Sequence, residues 1–462
     1  MSCLNKSVYL PVVFLLVFAI VLPLFSVVSA TTSVSSVPNG HATWTVADSP
    51  YSLTSNIIIY SGETLNIHPG VVVHLNGYQI QVYGLLNAQG LNNNPIYFLN
   101  DGFSSSQLIF RASSDPDCTV SHGVFYSVPL TIEGGSPTLA NNYFTGTSSD
   151  AVITINSGGA SIINNIISTQ NAQDGIHINS GYVIITGNTL SGAGAQQGCG
   201  IYNAGSTASI TANGITNFYT GIYTNKPGVI KQNVITNNVN DGIVIQGTPE
   251  VTISENVIAY NTCGISRDAD IQNNTIAYNT YGLWGQTASS TIRHNNIIDS
   301  TKESIHLTET VTDVNAANNW WGTTDEAAIR KTISDYDATL RPNLGKVTFT
   351  PFLSSPAYAP AVPLVVVPTP PPIPSTTPSP SDTPNPTSSS TPDAPTVSLY
   401  PYPTYLPDPT DQHVQPPDEP RFGGFSLTDI TTAVVIVIAV SVAITIILFL
   451  NRIQQTTKPQ GN

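Results

Sequence analysis

The stretch from Asp241 to Ile265, DGIVIQGTPEVTISENVIAYNTCGI, decides how this chain folds. Two short apolar runs, Gly242-Ile243-Val244-Ile245 and Val251-Thr252-Ile253, are separated by turn-forming residues. Runs this short, punctuated by Gly, Asn and Asp, leave no room for a helix of ordinary length and read as strands joined by tight turns. The stretch also carries three carboxylates, Asp241, Glu250 and Glu255, and one thiol, Cys263. Whether these form a site or belong to a repeat depends on the neighbouring sequence.

The neighbours repeat the same layout. An Asn in the pattern N-x-[IVL], or its aromatic version, recurs at Asn142, Asn165, Asn188, Asn213, Asn233, Asn256, Asn274, Asn296 and Asn319, at intervals of 23, 23, 25, 20, 23, 18, 22 and 23 residues. A second column keeps step with it: Gly175-Ile176, Gly200-Ile201, Gly221-Ile222, Gly242-Ile243, Gly264-Ile265 and Gly282-Leu283, with Ser304-Ile305 as a last, imperfect copy. Units of this length with only β-type runs hold two or three strands each, and the Leu-x-x-Leu-x-Leu frame of leucine-rich repeats is absent. No unit can bury its inward face alone, so the units stack as coils of a parallel β-helix. Ile and Val then line the interior, and the Asn amides bond along their column. Parallel crossovers favour the right hand. At ~4.8 Å per coil the Asn column predicts a rod of roughly 38 Å.

These units resemble the repeats of right-handed parallel β-helix proteins, a superfamily that includes pectate lyases, polygalacturonases, the NosD copper-binding family and bacterial and archaeal surface proteins. The run NIIIYSGETLNIHPGVVVHLNGYQIQVYGLLNAQG, from Asn56 to Gly90, resembles their opening coils, and ANNWWGTTDEAAIRKTISD, from Ala317 to Asp335, the end of the surface-protein branch. The resemblance covers Trp44 to Pro356 and implies an all-β, right-handed parallel β-helix. Its enzymes are not matched residue by residue. The Asn-Thr-Asp, double-Asp, Gly-His-Gly and Arg-Ile-Lys motifs of polygalacturonases are absent, and Ser121-His122-Gly123 is a poor substitute. The basic residue a lyase needs has only Lys226, Lys231, Arg267, Arg293 and Lys302 to draw on, and these are scattered over several coils.

Outside the repeats the composition changes. Residues 1–30 have the layout of a secretory signal peptide, with Lys6, an apolar core and Val28-Ser29-Ala30; a retained anchor is the alternative. Residues 44–136 are expected to form an N-terminal cap and irregular first coils, 137–319 the regular repeats, and 320–356 a C-terminal cap. Residues 357–428 are a Pro/Ser/Thr-rich stalk that favours an extended conformation. Residues 429–450 contain the uncharged run from Ile430 to Leu450, long enough to span a bilayer core of ~30 Å. Arg452 and Lys458 in the tail, 451–462, place that tail in the cytoplasm and the rod outside. With 28 acidic against 14 basic residues and a net charge of −14, the chain lacks the basic surface that nucleic acid requires.

The candidate site residues are few. Asp174, Asp241 and Glu303 share a column three coils apart, so neighbours are ~14 Å from one another, beyond the ~5–9.5 Å of a glycosidase pair. They are expected to shape Asp-Gly turns. Glu250 and Asp268 both fall six residues before their Asn on neighbouring coils, with Arg267 and Asp270 beside them. They read either as Ca²⁺ ligands or an acid pair, or as turn carboxylates paired to Arg267. The histidines are dispersed, although His177 and His306 share a column. Cys199 and Cys263 also share one, at ~14 Å, beyond the ~7 Å limit of a bridge, and with Cys118 they read as buried apolar groups. One or both of Trp320 and Trp321 should seal the core, with a sugar-stacking platform as the alternative. Thr323-Thr324-Asp325-Glu326 fits a capping box ahead of a helix from Glu326 to Ile333 laid across the last coil. No catalytic or cofactor-binding residue is assigned, and the metal ligands stay open. The expected function is a membrane-anchored, non-catalytic surface protein that binds glycan or an envelope protein. A polysaccharide lyase or glycosidase, and a metal-handling protein of the NosD type, are the rivals.

Overall fold

A coil takes shape from three short strands because its apolar residues come in three short runs. In the coil that carries the stretch quoted above, the strands are Val234–Thr236, Asp241–Ile245 and Val251–Ser254, and the chain re-enters the first position at Val257–Ala259. A computed structural model describes residues 31–361, apart from 104, 147–148, 171–172, 248–249 and 309. The expected signal peptide, transmembrane segment and cytoplasmic tail, and the stalk from 362 onward, lie outside the described residues. Among the described residues no helix is long and apolar enough to cross a membrane.

The strands stack into three parallel sheets of 13, 13 and 12 strands. The first sheet opens with Thr32–Val34, the second with Ile57–Ile59 and the third with His41–Trp44. Strand pairing therefore starts ahead of Trp44, with Thr32 opposite Tyr51. Registry is in step from coil to coil, so like residues stack. Ile222, Ile243, Ile265, Leu283 and Ile305 form one interior column, and Ile235, Ile258, Ile276 and Ile297 another. All nine are fully buried. In the earlier coils the interior is aromatic, with Phe98, Phe125 and Phe144 stacked at 4.5 Å.

The turn from the third sheet to the first holds the Asn column. In each coil the backbone N–H of one Asn donates to Oδ1 of the next, from Asn142 through Asn165, Asn188, Asn213, Asn233, Asn256 and Asn274 to Asn295 and Asn319. The sequence pattern assigned Asn296 to this column; the structure puts Asn295 there. Both residues satisfy N-x-[IVL], and the turn decides between them. The residue before each column Asn is left-handed, and that residue here is His294, at φ +56°. Asn296 begins the next strand, opposite Thr275. A second, shorter amide ladder runs through Asn238, Asn261 and Asn279, with N–H to Oδ1 distances of 2.9 Å. Each of its members stands five residues after a member of the first column.

The glycine column has a different cause. A Cβ on Gly264 would lie 2.4 Å from the carbonyl oxygen of Gly282, and one on Gly242 2.7 Å from that of Gly264. The coils approach too closely there for any side chain.

The C-terminal end is closed as expected by Trp321, which is 6% exposed and joins the core. Helix α1 is shorter than predicted, Glu326–Arg330. Its N-cap is Asp325, whose Oδ1 accepts from Ala327 and Ala328, while Thr323 Oγ1 accepts from the Asp325 N–H. The helix stops because Ile333 is needed elsewhere: Ile333–Ser334 adds a last strand to the second sheet and sets Ile333 beneath Ile305. Beyond it the chain folds back over the first sheet. Leu353 donates to the Asn319 carbonyl, Ala357 to Asn296 Oδ1, and Thr275 Oγ1 donates to the Pro360 carbonyl. Residues 357–360, assigned to the stalk, thus lie against the rod.

Candidate functional site: an aromatic column interrupted by a cleft

Two residues after each position of the glycine column, which ends in Ser304, one side chain per coil of the second sheet faces outward. In order these are His177, Tyr202, Tyr223, Val244, Ser266, Trp284 and His306. Parallel in-register pairing sets their spacing, so aromatic members stack. His177 and Tyr202 are 4.5 Å apart between ring centroids, Tyr202 and Tyr223 4.7 Å at 4°, and Trp284 and His306 4.1 Å at 15°. Each end of the column is held by a carboxylate three residues upstream: Asp174 bonds His177 Nδ1 at 2.7 Å, and Glu303 bonds His306 Nδ1.

At Val244 and Ser266 the stack is broken. Two coils without rings leave Tyr223 and Trp284 facing one another across three coil spacings, ~14 Å. A cleft of about 330 Å³ opens here, with Val244 and Ser266 in its lining and Trp284 at one side. Tyr281 meets the Trp284 ring edge-on at 4.7 Å and carries Lys302 over its own face at 5.4 Å. Asn240, Gln246 and Thr262 supply uncharged polar groups, and Arg267 the positive charge. Among the described residues no carboxylate lies within ion-pair distance of Arg267.

Residues 128–266 and 179–321 match the family described as the right handed beta helix region. The chain is a right-handed parallel β-helix protein. No curated protein and no solved structure matches it. Because β-helix folds host many activities, this membership describes the scaffold and leaves the chemistry to the cleft.

Asp241 sits in this cleft of the β-helix rather than in a turn. It is 8% exposed; Oδ1 accepts from Ser266 Oγ at 2.5 Å and Oδ2 from Asn240 Nδ2 at 2.5 Å. Burial raises its pKa, and the hydrogen bonds from Ser266 and Cys263 oppose that shift only in part. Asp174 likewise makes more than a turn, since it accepts from the Cys199 backbone N–H one coil away at 2.6 Å. The expectation that these acids merely shape Asp-Gly turns is therefore corrected: each tethers neighbouring groups on the outer face of the second sheet.

The candidate built on Glu250, Asp268 and Asp270 lies on another face. The three line a separate depression of about 300 Å³ beside the third sheet. Asp268 is spent on the turn, accepting from Thr287 N–H, Thr287 Oγ1 and Ser290 Oγ. Asp270 faces Arg293 at 3.8 Å, so the basic partner is Arg293 and not Arg267, which the strand end turns toward the cleft. Among the described residues no group of three His, Cys, Asp or Glu side chains is placed to hold a metal ion.

Among the described residues the three thiols, Cys118, Cys199 and Cys263, are free. Cys118 and Cys263 are buried and Cys199 half-buried. Burial pushes the Cys118 pKa to about 11 and raises those of Cys199 and Cys263 as well. Sequence reasoning found the two histidines of the aromatic column and missed Tyr202, Tyr223 and Trp284 between them. The signal was present, as four of the five stand two residues after a column glycine and His306 stands two after Ser304, the imperfect copy.

Proposed function

We propose that the outer face of the second sheet is a carbohydrate-binding surface on an exported, membrane-tethered and non-catalytic β-helix. The observation that carries this reading is the break in the aromatic column, which leaves Trp284 stacked on His306 alone and lining the cleft. A pyranose presents a face of C–H groups that packs on an aromatic ring, while its hydroxyls take up polar groups at the rim. Asn240, Gln246 and Thr262 supply such groups. The tether rests on the apolar run from Ile430 to Leu450 and the export on residues 1–30.

An enzymatic reading would fall to Asp241, the one cleft carboxylate with a raised pKa. Hydrolysis with retention or inversion takes two carboxyl groups ~5–9.5 Å apart, and among the described cleft-lining residues Asp241 is the only one. This favours binding without turnover. The test is a glycan array followed by calorimetric titration of the full-length chain, with a reducing-end assay on every ligand found. Trp284→Ala should abolish binding and leave the denaturant midpoint close to that of the parent. Binding that survives this substitution, or product release from any bound glycan, would overturn the proposal.

A further inference from the structure

After seven of the thirteen first-sheet strands the backbone passes through a left-handed residue. That position holds Ser127, Gly146, Asn217, Asn237, Tyr260, Tyr278 and Asp299, at φ between +53° and +71°. The amide links Asn237 N–H to Ala259 O, Tyr260 N–H to Ala277 O and Tyr278 N–H to Ile298 O confirm that the last four are equivalent. Gly, Asn and Asp tolerate this conformation, whereas a bulky side chain is strained in it. Burial does not compensate the two tyrosines, which are 49% and 42% exposed. Their rings stack at 5.1 Å and 9°. Neither burial nor backbone preference accounts for rings at these two turns, which motivates a search for a ligand beside them.

The pair stands beside the cleft. Thr262, on the cleft rim, follows Tyr260 by two residues, and Tyr278 belongs to the coil of Trp284. Tyr260 is covered by Tyr278 on its C-terminal side, as Trp284 is by His306, so the free faces of Tyr260 and Trp284 look the same way along the rod. Centroid spacings close to the coil spacing mean that these rings lie across the rod axis. A pyranose stacked on either ring lies across the axis too. Its equatorial linkages then lie in the plane of the coils, the plane that also holds the strands.

We propose that Tyr260 and Tyr278 form a second carbohydrate platform that extends the cleft around the corner from the second sheet to the first. The ligand is a pyranose chain that crosses the rod parallel to the strands and touches both platforms. This rests on the carbohydrate reading of the cleft and adds the direction and length of the ligand. Ser266 stands six positions after Tyr260, which bounds the span at ~20 Å, enough room for a short oligosaccharide.

The test compares disaccharides with hexasaccharides of β-linked glucan and chitin, titrated into the full-length chain. The parent should bind the hexasaccharide about tenfold more tightly than the disaccharide, the return expected from one added stacking contact. Tyr260→Asn, which installs the residue already found at Asn217 and Asn237, should bring that ratio close to one, and Tyr278→Asn should reduce it. Tyr182→Asn, on the third sheet, should leave it intact. An unchanged ratio in Tyr260→Asn, with binding still lost in Trp284→Ala, overturns the second platform and leaves the cleft standing. A parent chain that binds none of these oligosaccharides overturns both.

Discussion

Asn256 Oδ1 accepts two hydrogen bonds from Asn233, one from its backbone N–H at 2.8 Å and one from its side-chain Nδ2 at 3.0 Å. Asn256 in turn donates its own N–H to Asn274 Oδ1 at 2.9 Å and its Nδ2 to the Ile230 carbonyl at 2.8 Å. The residue is fully buried. Every polar atom of this side chain therefore closes a gap between coils that water does not reach. Asn256→Leu would strand a donor above and an acceptor below, at a cost of about 1–3 kcal/mol for each group left unpaired. A denaturant midpoint within experimental scatter of the parent would show that the column is ornamental.

The glycine column makes a second, independent prediction. Gly264→Ala brings a methyl group to 2.4 Å from the Gly282 carbonyl oxygen and 3.0 Å from Ile276 Cγ2. Neither neighbour is a flexible side-chain end, so the coils must part. The expected loss is about 1–3 kcal/mol or more, measured by equilibrium unfolding. Gly214→Ala is the comparison, because a Cβ there meets nothing within 4 Å.

Asp241 makes stability depend on pH. Burial favours its neutral form, so its folded pKa lies above the unfolded one. The stability it contributes is complete below the ordinary carboxylate range and is lost as pH rises through the raised folded value. Asp241→Asn stays neutral throughout. The variant should therefore be more stable than the parent at neutral pH, with the gap closing below about pH 4. Unfolding curves collected across this range decide it, and a gap independent of pH would mean that the carboxylate is ionised at no cost.

The thiols should be inert in the folded protein. With the Cys118 pKa at about 11, only about one molecule in a thousand carries its thiolate at pH 8. Cys199 and Cys263 are also raised by burial. Alkylation at pH 8 should leave all three unmodified in the native chain and label them after denaturation, read by mass spectrometry. Prompt labelling of Cys263 in the native state would contradict its burial and the hydrogen bond that its Sγ accepts from Ser266 Oγ.

Much of this was legible in the chain. The columns of Ile, Asn and Gly recur because parallel in-register stacking places the same demand on each coil, so one coil's solution is written again in the next. The error at Asn296 arose where two adjacent residues met the same pattern and only the left-handed His294 distinguished them. The second Asn ladder went unread although it stands at a constant offset from the first. Helix α1 was predicted too long because local capping signals say where a helix starts, while its end was set by the place reserved for Ile333 under Ile305.

The stretch from Asp241 to Ile265 marks the division. Its sequence alone determined the repeat, the three-run coil and the interior positions of Ile243, Ile245 and Ile253, because hydrophobic period and turn chemistry are local properties. It did not determine which carboxylate mattered. Glu250, favoured by spacing, belongs to a depression whose acids are held by turn hydroxyls and by Arg293. Asp241, dismissed as a turn residue, lines the cleft together with Ser266 and Trp284. Stacking brings together side chains some twenty residues apart, and only the registry of whole coils shows where a ring is missing from a column.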